Sequence, residues 1–230
     1  MSYLELNLDP FISLWRKLDI SVINPLNFLS YVDSSFTGGI SFTYRADIPL
    51  FSEISTLRKL TNSRINIRIN PDPEQFKKVA DLSPNVVTII NEDNDNDIVE
   101  LPSKTIGKII NSDNKGKIPI IPRIKPEIKQ LKQAYKLKCA EVELDTNQLS
   151  KADHEEDYSK RMEVLLNCYK IANKNNLRIS FGGNLNKRLI LALNRVMSPE
   201  FYSVGNYLLA HSLIKGIDNV LEDTVDIIEK

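Results

Sequence analysis

Histidine and cysteine are scarce in this chain. Its 230 residues hold two histidines, His154 and His211, and two cysteines, Cys139 and Cys168. Two cysteines cannot build a disulfide framework or a four-thiolate zinc centre. Any His-based metal site or His-dependent acid/base mechanism has only two residues to draw on, so neither a metal nor a cofactor is expected. An excess of either charge is also missing: thirty Lys and Arg balance thirty Asp and Glu. A nucleic-acid binder usually carries a basic surplus, which argues against a nucleic-acid partner. No apolar run approaches the ~18 residues that span a bilayer. Met1-Ser2-Tyr3-Leu4-Glu5 lacks the basic flank and apolar core of a signal peptide. These absences point to a cytoplasmic protein with no membrane partner.

What is present is an ordinary globular composition, 42% hydrophobic and 26% charged. Short β-rich runs alternate with helical patterns. Strands are predicted at Leu4–Leu8, Gly39–Tyr44, Arg64–Ile69, Asn85–Ile90, Lys117–Arg123, Cys139–Leu144, Arg178–Gly182 and Phe201–Val204. Leu50–Asn62 has helical spacing. Asp72-Pro73-Glu74-Gln75 is a helix start, in which Asp72 caps, Pro73 suits the first position and Gln75 reaches back. Further helices open at Lys125-Pro126-Glu127 and run over Tyr158–Asn175. Eight such units in one domain, 1–230, predict a (β/α)₈ TIM barrel with strand one beside strand eight. A doubly wound open sheet has the same alternation and is the rival. The polar stretch Asn91–Asp97 reads as a solvated loop, because the Gly and terminal Glu of a calcium loop are missing.

A barrel places its chemistry at the C-terminal strand ends. Those ends carry Asn7 and Asp9, then Thr43, Arg45 and Asp47, then Arg68 and Asn70, then Asn91 and Glu92. Arg123 follows, then Glu143, Asp145 and Thr146. Arginines at three strand ends, near Gly-rich turns, predict an anionic ligand. The last two loops are the candidate phosphate site: Gly182, Gly183 and Asn184 after strand seven, Gly205 and Asn206 after strand eight. Gly205 lies where a strand runs straight into an apolar helix, whose free N–H groups attract phosphate. The plainer alternative is that these glycines only make tight turns. The expected ligand is a small phosphorylated metabolite or inorganic phosphate.

Several of these segments resemble one family. Asn7-Leu8-Asp9 followed by Ser13-Leu14 resembles the opening Asn-x-Asp-His…Thr-Leu-Arg of pyridoxine 5′-phosphate synthase. Gly39-Ile40-Ser41-Phe42-Thr43-Tyr44-Arg45-Ala46-Asp47 is similar to its Gly-Ile-Thr-Val-His-Leu-Arg-Glu-Asp. Ile65-Asn66-Ile67-Arg68 resembles its Asn-Leu-Glu strand, and Val142-Glu143-Leu144-Asp145-Thr146 its Glu-x-His-Thr strand. Phe181-Gly182-Gly183-Asn184-Leu185 and Ser203-Val204-Gly205-Asn206-Tyr207-Leu208-Leu209 resemble its Ala-Gly-His-Gly-Leu and Asn-Ile-Gly-His-x-Ile-Ile loops. The order holds from residue 4 to about residue 225. The resemblance implies a TIM barrel, a homo-oligomer, and closure of a pyridine ring from 1-deoxy-D-xylulose 5-phosphate and 3-amino-2-oxopropyl phosphate.

The departures fall on the chemistry. Ring closure needs serial proton transfers by His and Glu side chains. Carried over by the resemblance, the family's histidines fall on Pro10, Thr43, Asp145, Gly183 and Asn206, and its third-strand Glu falls on Arg68. Its ligand-binding Arg falls near Leu18, and its Thr- and Gly-rich lid on Asn91–Glu100. Asn7, Asp9, Arg45, Asp47, Glu143, Thr146, Gly182 and Gly205 are retained. No shift of alignment restores the histidines, because only two exist. His154 is expected at an exposed helix start and His211 on a helix face. The catalytic residues are therefore unknown. The ligand set predicted beside the phosphate loops is Asn7, Asp9, Thr43, Arg45, Arg68, Glu143 and Asp145. The leading expectation is a family member that keeps a phosphate site with altered or lost catalysis. The alternatives are different chemistry on a phosphorylated metabolite, using carboxylates and arginines, or a still-active synthase. Arg68 discriminates: free, it favours an anion in the mouth; neutralised by carboxylates, it becomes structural.

Overall fold

The computed structural model describes residues 2–18, 28, 31–32, 38–45, 54, 58, 61, 63–93, 97–112 and 118–229. Eight parallel strands form a closed barrel in sequence order: β1 (Tyr3–Asn7), β2 (Gly39–Thr43), β3 (Arg64–Ile69), β4 (Val86–Ile89), β5 (Ile120–Ile124), β6 (Glu141–Asp145), β7 (Arg178–Gly182) and β8 (Phe201–Val204). β1 pairs with β8 in the register Tyr3↔Phe201 to Leu6↔Val204, which closes the ring and excludes the open sheet. Bounds for β3, β7 and β8 match those predicted from sequence; the others move by up to three residues. Residue 117, predicted to start β5, lies outside the described residues, as does most of the predicted helix Leu50–Asn62, in which Ile54 and Arg58 are helical.

Alternation sorts each strand into two faces. Leu4 and Leu6, Ile65 and Ile67, Val142 and Leu144, Ile179 and Phe181 are buried in the apolar core. The intervening residues are polar: Glu5 and Asn7, Asn66 and Arg68, Glu141, Glu143 and Asp145. These meet residues of strands that are not neighbours, Glu5 with Asn66 and Arg68 with Glu143, so they fill the lumen. A barrel interior usually holds bulky branched residues; this one is built largely from hydrogen bonds and ion pairs.

The helices start as their caps dictate. Asp72 accepts from the Glu74 N–H at 2.9 Å and Pro73 opens Pro73–Asp81. Gln75 reaches back to the Asn70 N–H (2.8 Å) rather than to Asp72, which ties the helix to the end of β3. Glu155–Lys174 covers β7, and Ile217–Glu229 covers β1 and the helix Lys187–Asn194. Among the described residues no helix is long and apolar enough to cross a membrane.

Burial pushes the Cys139 thiol up to about 12 and the Cys168 thiol, on the inner side of Glu155–Lys174, up to about 11. The thiolate is the reactive form, so alkylation of the native protein at neutral pH should be at least about a hundredfold slower than that of a free thiol. Mass spectrometry after iodoacetamide checks this; labelling of either residue within minutes would show an opening the packing does not predict.

Candidate functional site

Two buried arginines organise the upper lumen. Arg68, 2% exposed, gives Glu143 a two-pronged bond at 2.9 and 3.3 Å and donates to Ser203 Oγ at 2.8 Å. Glu5 lies 3.6 Å away. Burial works against the Arg68 charge, but Glu143, Glu5 and Asp9 outweigh it and raise its pKa above the ordinary value. Arg123 pairs with Asp145 at 2.9 Å and approaches Glu143 at 3.4 Å. Burial pushes the Asp145 carboxyl up, against the pull of Arg123 and of Asn147, which also donates to it. At the floor, Glu141 binds Arg64 (3.1 Å) and Ser180 (2.6 Å). Arg68 is thus neutralised and structural rather than free for an anion.

Above this network lies a cavity of about 300 Å³. Its lining includes Asn7, Gly183, Asn184, Gly205 and Asn206 from the predicted set, plus Pro10, Asp97, Arg123, Asn147, Leu185 and Ser203. Asp97 went unread as a site residue because it closes an acidic run that looks solvated. The other predicted residues play supporting parts. Asp9 accepts from the Thr43 N–H (2.7 Å) and hydroxyl (2.8 Å), a strut between the ends of β1 and β2. Arg45 is held by Glu92 at 2.7 Å on the exposed rim. Arg68, Glu143, Asp145 and Gly182 lie in the ion-pair network beneath. Asp47 falls outside the described residues.

The glycines serve this network directly. A Cβ on Gly182 would overlap the Glu143 carboxylate. Gly183 has φ +103°, and a Cβ there would stand 2.5 Å from Asp145 Oδ1 and 2.9 Å from Arg123 Nη2. Gly205 corrects the sequence argument. Its missing Cβ makes room for the Asn7 carbonyl and Pro10 Cγ, both at 3.0 Å, not for a ligand. The helix Asn206–Lys215 still begins at that junction, so its first N–H groups lack intrahelical acceptors. The two loops are joined by Asn206 Nδ2 donating to Asn184 Oδ1 at 3.3 Å. Thr146 Oγ1 donates to the Gly182 and Gly183 carbonyls, pinning the β7 loop.

Neither histidine reaches the cavity. His154 is exposed and occupies the capping position of Glu155–Lys174 without a side-chain cap bond. His211 packs on Tyr207 of its own helix, ring centres 4.4 Å apart. Leu18, where the resemblance puts a ligand-binding Arg, is exposed at the end of Asp9–Lys17 and does not line the cavity.

The model of the family described as Pyridoxal phosphate biosynthesis protein PdxJ matches residues 27–230. The chain belongs to this family. It is 19% identical to the pyridoxine 5′-phosphate synthase of Syntrophobacter fumaroxidans over 99% of both chains. It is 21% identical to that of Pelobacter propionicus over 100% of this chain and 99% of the relative. Among solved structures, N-(5′-phosphoribosyl)anthranilate isomerase from Pyrococcus furiosus superposes with a TM-score of 0.58 at 9% identity, covering 100% and 99% of the two chains. That likeness shows the barrel alone. Within the PdxJ family this chain has Pro10, Thr43, Arg68, Asp145, Gly183 and Asn206 at the positions where the resemblance sets acids and bases.

Proposed function

We propose that this PdxJ-family barrel keeps an anion site at its mouth, for a small phosphorylated metabolite or inorganic phosphate, and does not close a pyridine ring. One observation carries the reading. The cavity is walled by the Gly183–Asn184 turn and the start of the helix at Asn206, while both histidines lie elsewhere. Backbone N–H groups and the helix dipole attract an anion without any particular side chain, typically by ~0.3–1 kcal/mol at an exposed site. They survive the loss of the acid/base groups. The homo-oligomer rests on the resemblance and the cytoplasmic location on the absence of a signal-peptide pattern; a monomeric mass in light scattering would remove the oligomer from the reading.

Gly205→Val is a poor test, since the added methyls would strike Asn7 and Pro10. Asn206→Asp is a better one. It sets a negative charge in the cavity wall yet favours the helix, because Asp is stabilising in a first turn. Phosphate binding by calorimetry should weaken at least about tenfold, since like charges brought together cost on the order of a few kcal/mol. Thermal stability should hold or rise. Unchanged binding in Asn206→Asp, or no saturable heat with the wild type, would mean that the two loops are only turns.

A further inference from the structure

An anion entering this mouth meets a carboxylate. Asp97 lines the same cavity as Gly183, Gly205 and Asn206. Its backbone is left-handed, φ 53°, and its carbonyl accepts from the Asn91 N–H at 3.3 Å. Its carboxylate has no hydrogen-bond partner among the described residues. Among the described residues, four charged groups act on it: Arg123 from β5, Arg68 from β3, Asp9 from the first helix and Glu143 from β6. Both arginines are engaged by Glu143 and Asp145, with Glu5 beside Arg68. Burial, Asp9 and Glu143 push the Asp97 carboxyl up, and they prevail over the arginines. A second observation concerns a residue that lines the same cavity. Arg123, 5% exposed, has a buried Nε with no hydrogen-bond partner among the described residues.

A dianion placed between these groups would add repulsion that no unpaired cation among the described residues lining the cavity offsets. Protonation of Asp97 removes that repulsion and turns an acceptor into a donor. We propose that an anion enters the mouth together with one proton taken from solvent and held on Asp97, whose O–H then donates to the anion. The inference rests on the anion reading of the same cavity. It adds Asp97 as a binding residue and makes the site's affinity fall as pH rises.

Sulfate is the probe, because it stays a dianion across the range tested and any pH dependence then belongs to the protein. Calorimetry in buffers of different ionisation enthalpy should show uptake approaching one proton per sulfate. Affinity should weaken by up to about tenfold per pH unit above the Asp97 pKa, which burial raises from the ordinary carboxylate value. Asp97→Asn, nearly isosteric and unable to titrate, should bind with an affinity that no longer depends on pH, as tightly as the wild type does with Asp97 protonated. Asp97→Ala should lose the proton uptake without the gained donor. Sulfate binding without proton uptake in the wild type overturns the proposal, with no variant needed. Uptake that persists in a folded Asp97→Asn protein also overturns it, by placing the proton elsewhere. Absence of sulfate binding at every pH in both proteins overturns the anion site itself, which is a different result from binding that ignores pH.

Discussion

Given 1-deoxy-D-xylulose 5-phosphate and 3-amino-2-oxopropyl phosphate, the purified protein is expected to release no pyridoxine 5′-phosphate above background. Each positioned acid or base typically contributes ~10²–10⁴-fold, and loss of two or more together removes ~10⁴–10⁸. On the proposed reading, the groups that stand in their place would not replace them. The Thr43 hydroxyl already donates to Asp9, and Thr is a poor base at neutral pH. Arg68, where the resemblance puts a Glu, is held protonated by the carboxylates around it. Asp145 is tied to Arg123 and Asn147. Chromatographic detection of product is the check, with rescue of a vitamin B6 auxotroph as the cellular counterpart. Turnover at a rate typical of enzymes, about 1 s⁻¹ or more, would show that ring closure needs none of the missing groups.

The second large effect is on stability. Arg68→Met should cost about 3–5 kcal/mol, because Glu5 would stay buried without a cation and Glu143 would keep only Arg123, at 3.4 Å. Arg45→Met removes an ion pair too, but an exposed one, and should cost no more than about 1 kcal/mol. Pairing Arg68→Met with Glu143→Leu should recover part of the loss, since one of the two buried carboxylates goes with it while Glu5 stays. Urea unfolding of the four proteins gives the comparison. If Arg68→Met unfolds like the wild type, water reaches the lumen and the pair does not bear on folding.

The same lumen explains what the sequence could and could not tell. Arg64-Ile65-Asn66-Ile67-Arg68-Ile69 and Glu141-Val142-Glu143-Leu144-Asp145 alternate so cleanly that the strands were legible. In a parallel sheet covered on both faces, a continuous apolar run is the usual sign. Here the charged positions look like a solvent face but point into the barrel. Whether Arg68 was free or paired was therefore not legible: Glu143 lies 75 positions away along the chain. Asp97 was hidden for a related reason. Its neighbours in sequence are polar, and only the fold sets it over Arg123. The room that Gly205 leaves was not legible either, because the atoms that crowd it belong to Asn7 at the end of β1 and to Pro10 in the first helix, about two hundred positions away.

The seam between β1 and β8 joins residues about two hundred positions apart, so contact order at this closure is high. On the ribosome β1 emerges first and keeps an open edge until β8 follows, ~10–40 s later at usual elongation rates of ~5–20 residues per second. Over that interval the inner face of the growing sheet is wet. Unpaired edges and exposed apolar faces are what drive nascent chains to aggregate. Glu5, Asn66, Arg68, Glu141 and Glu143 give this unclosed sheet a hydrophilic face, so it can wait in water for its last strand. The ion pairs that burden the finished barrel with desolvation thus work in favour of the unfinished one.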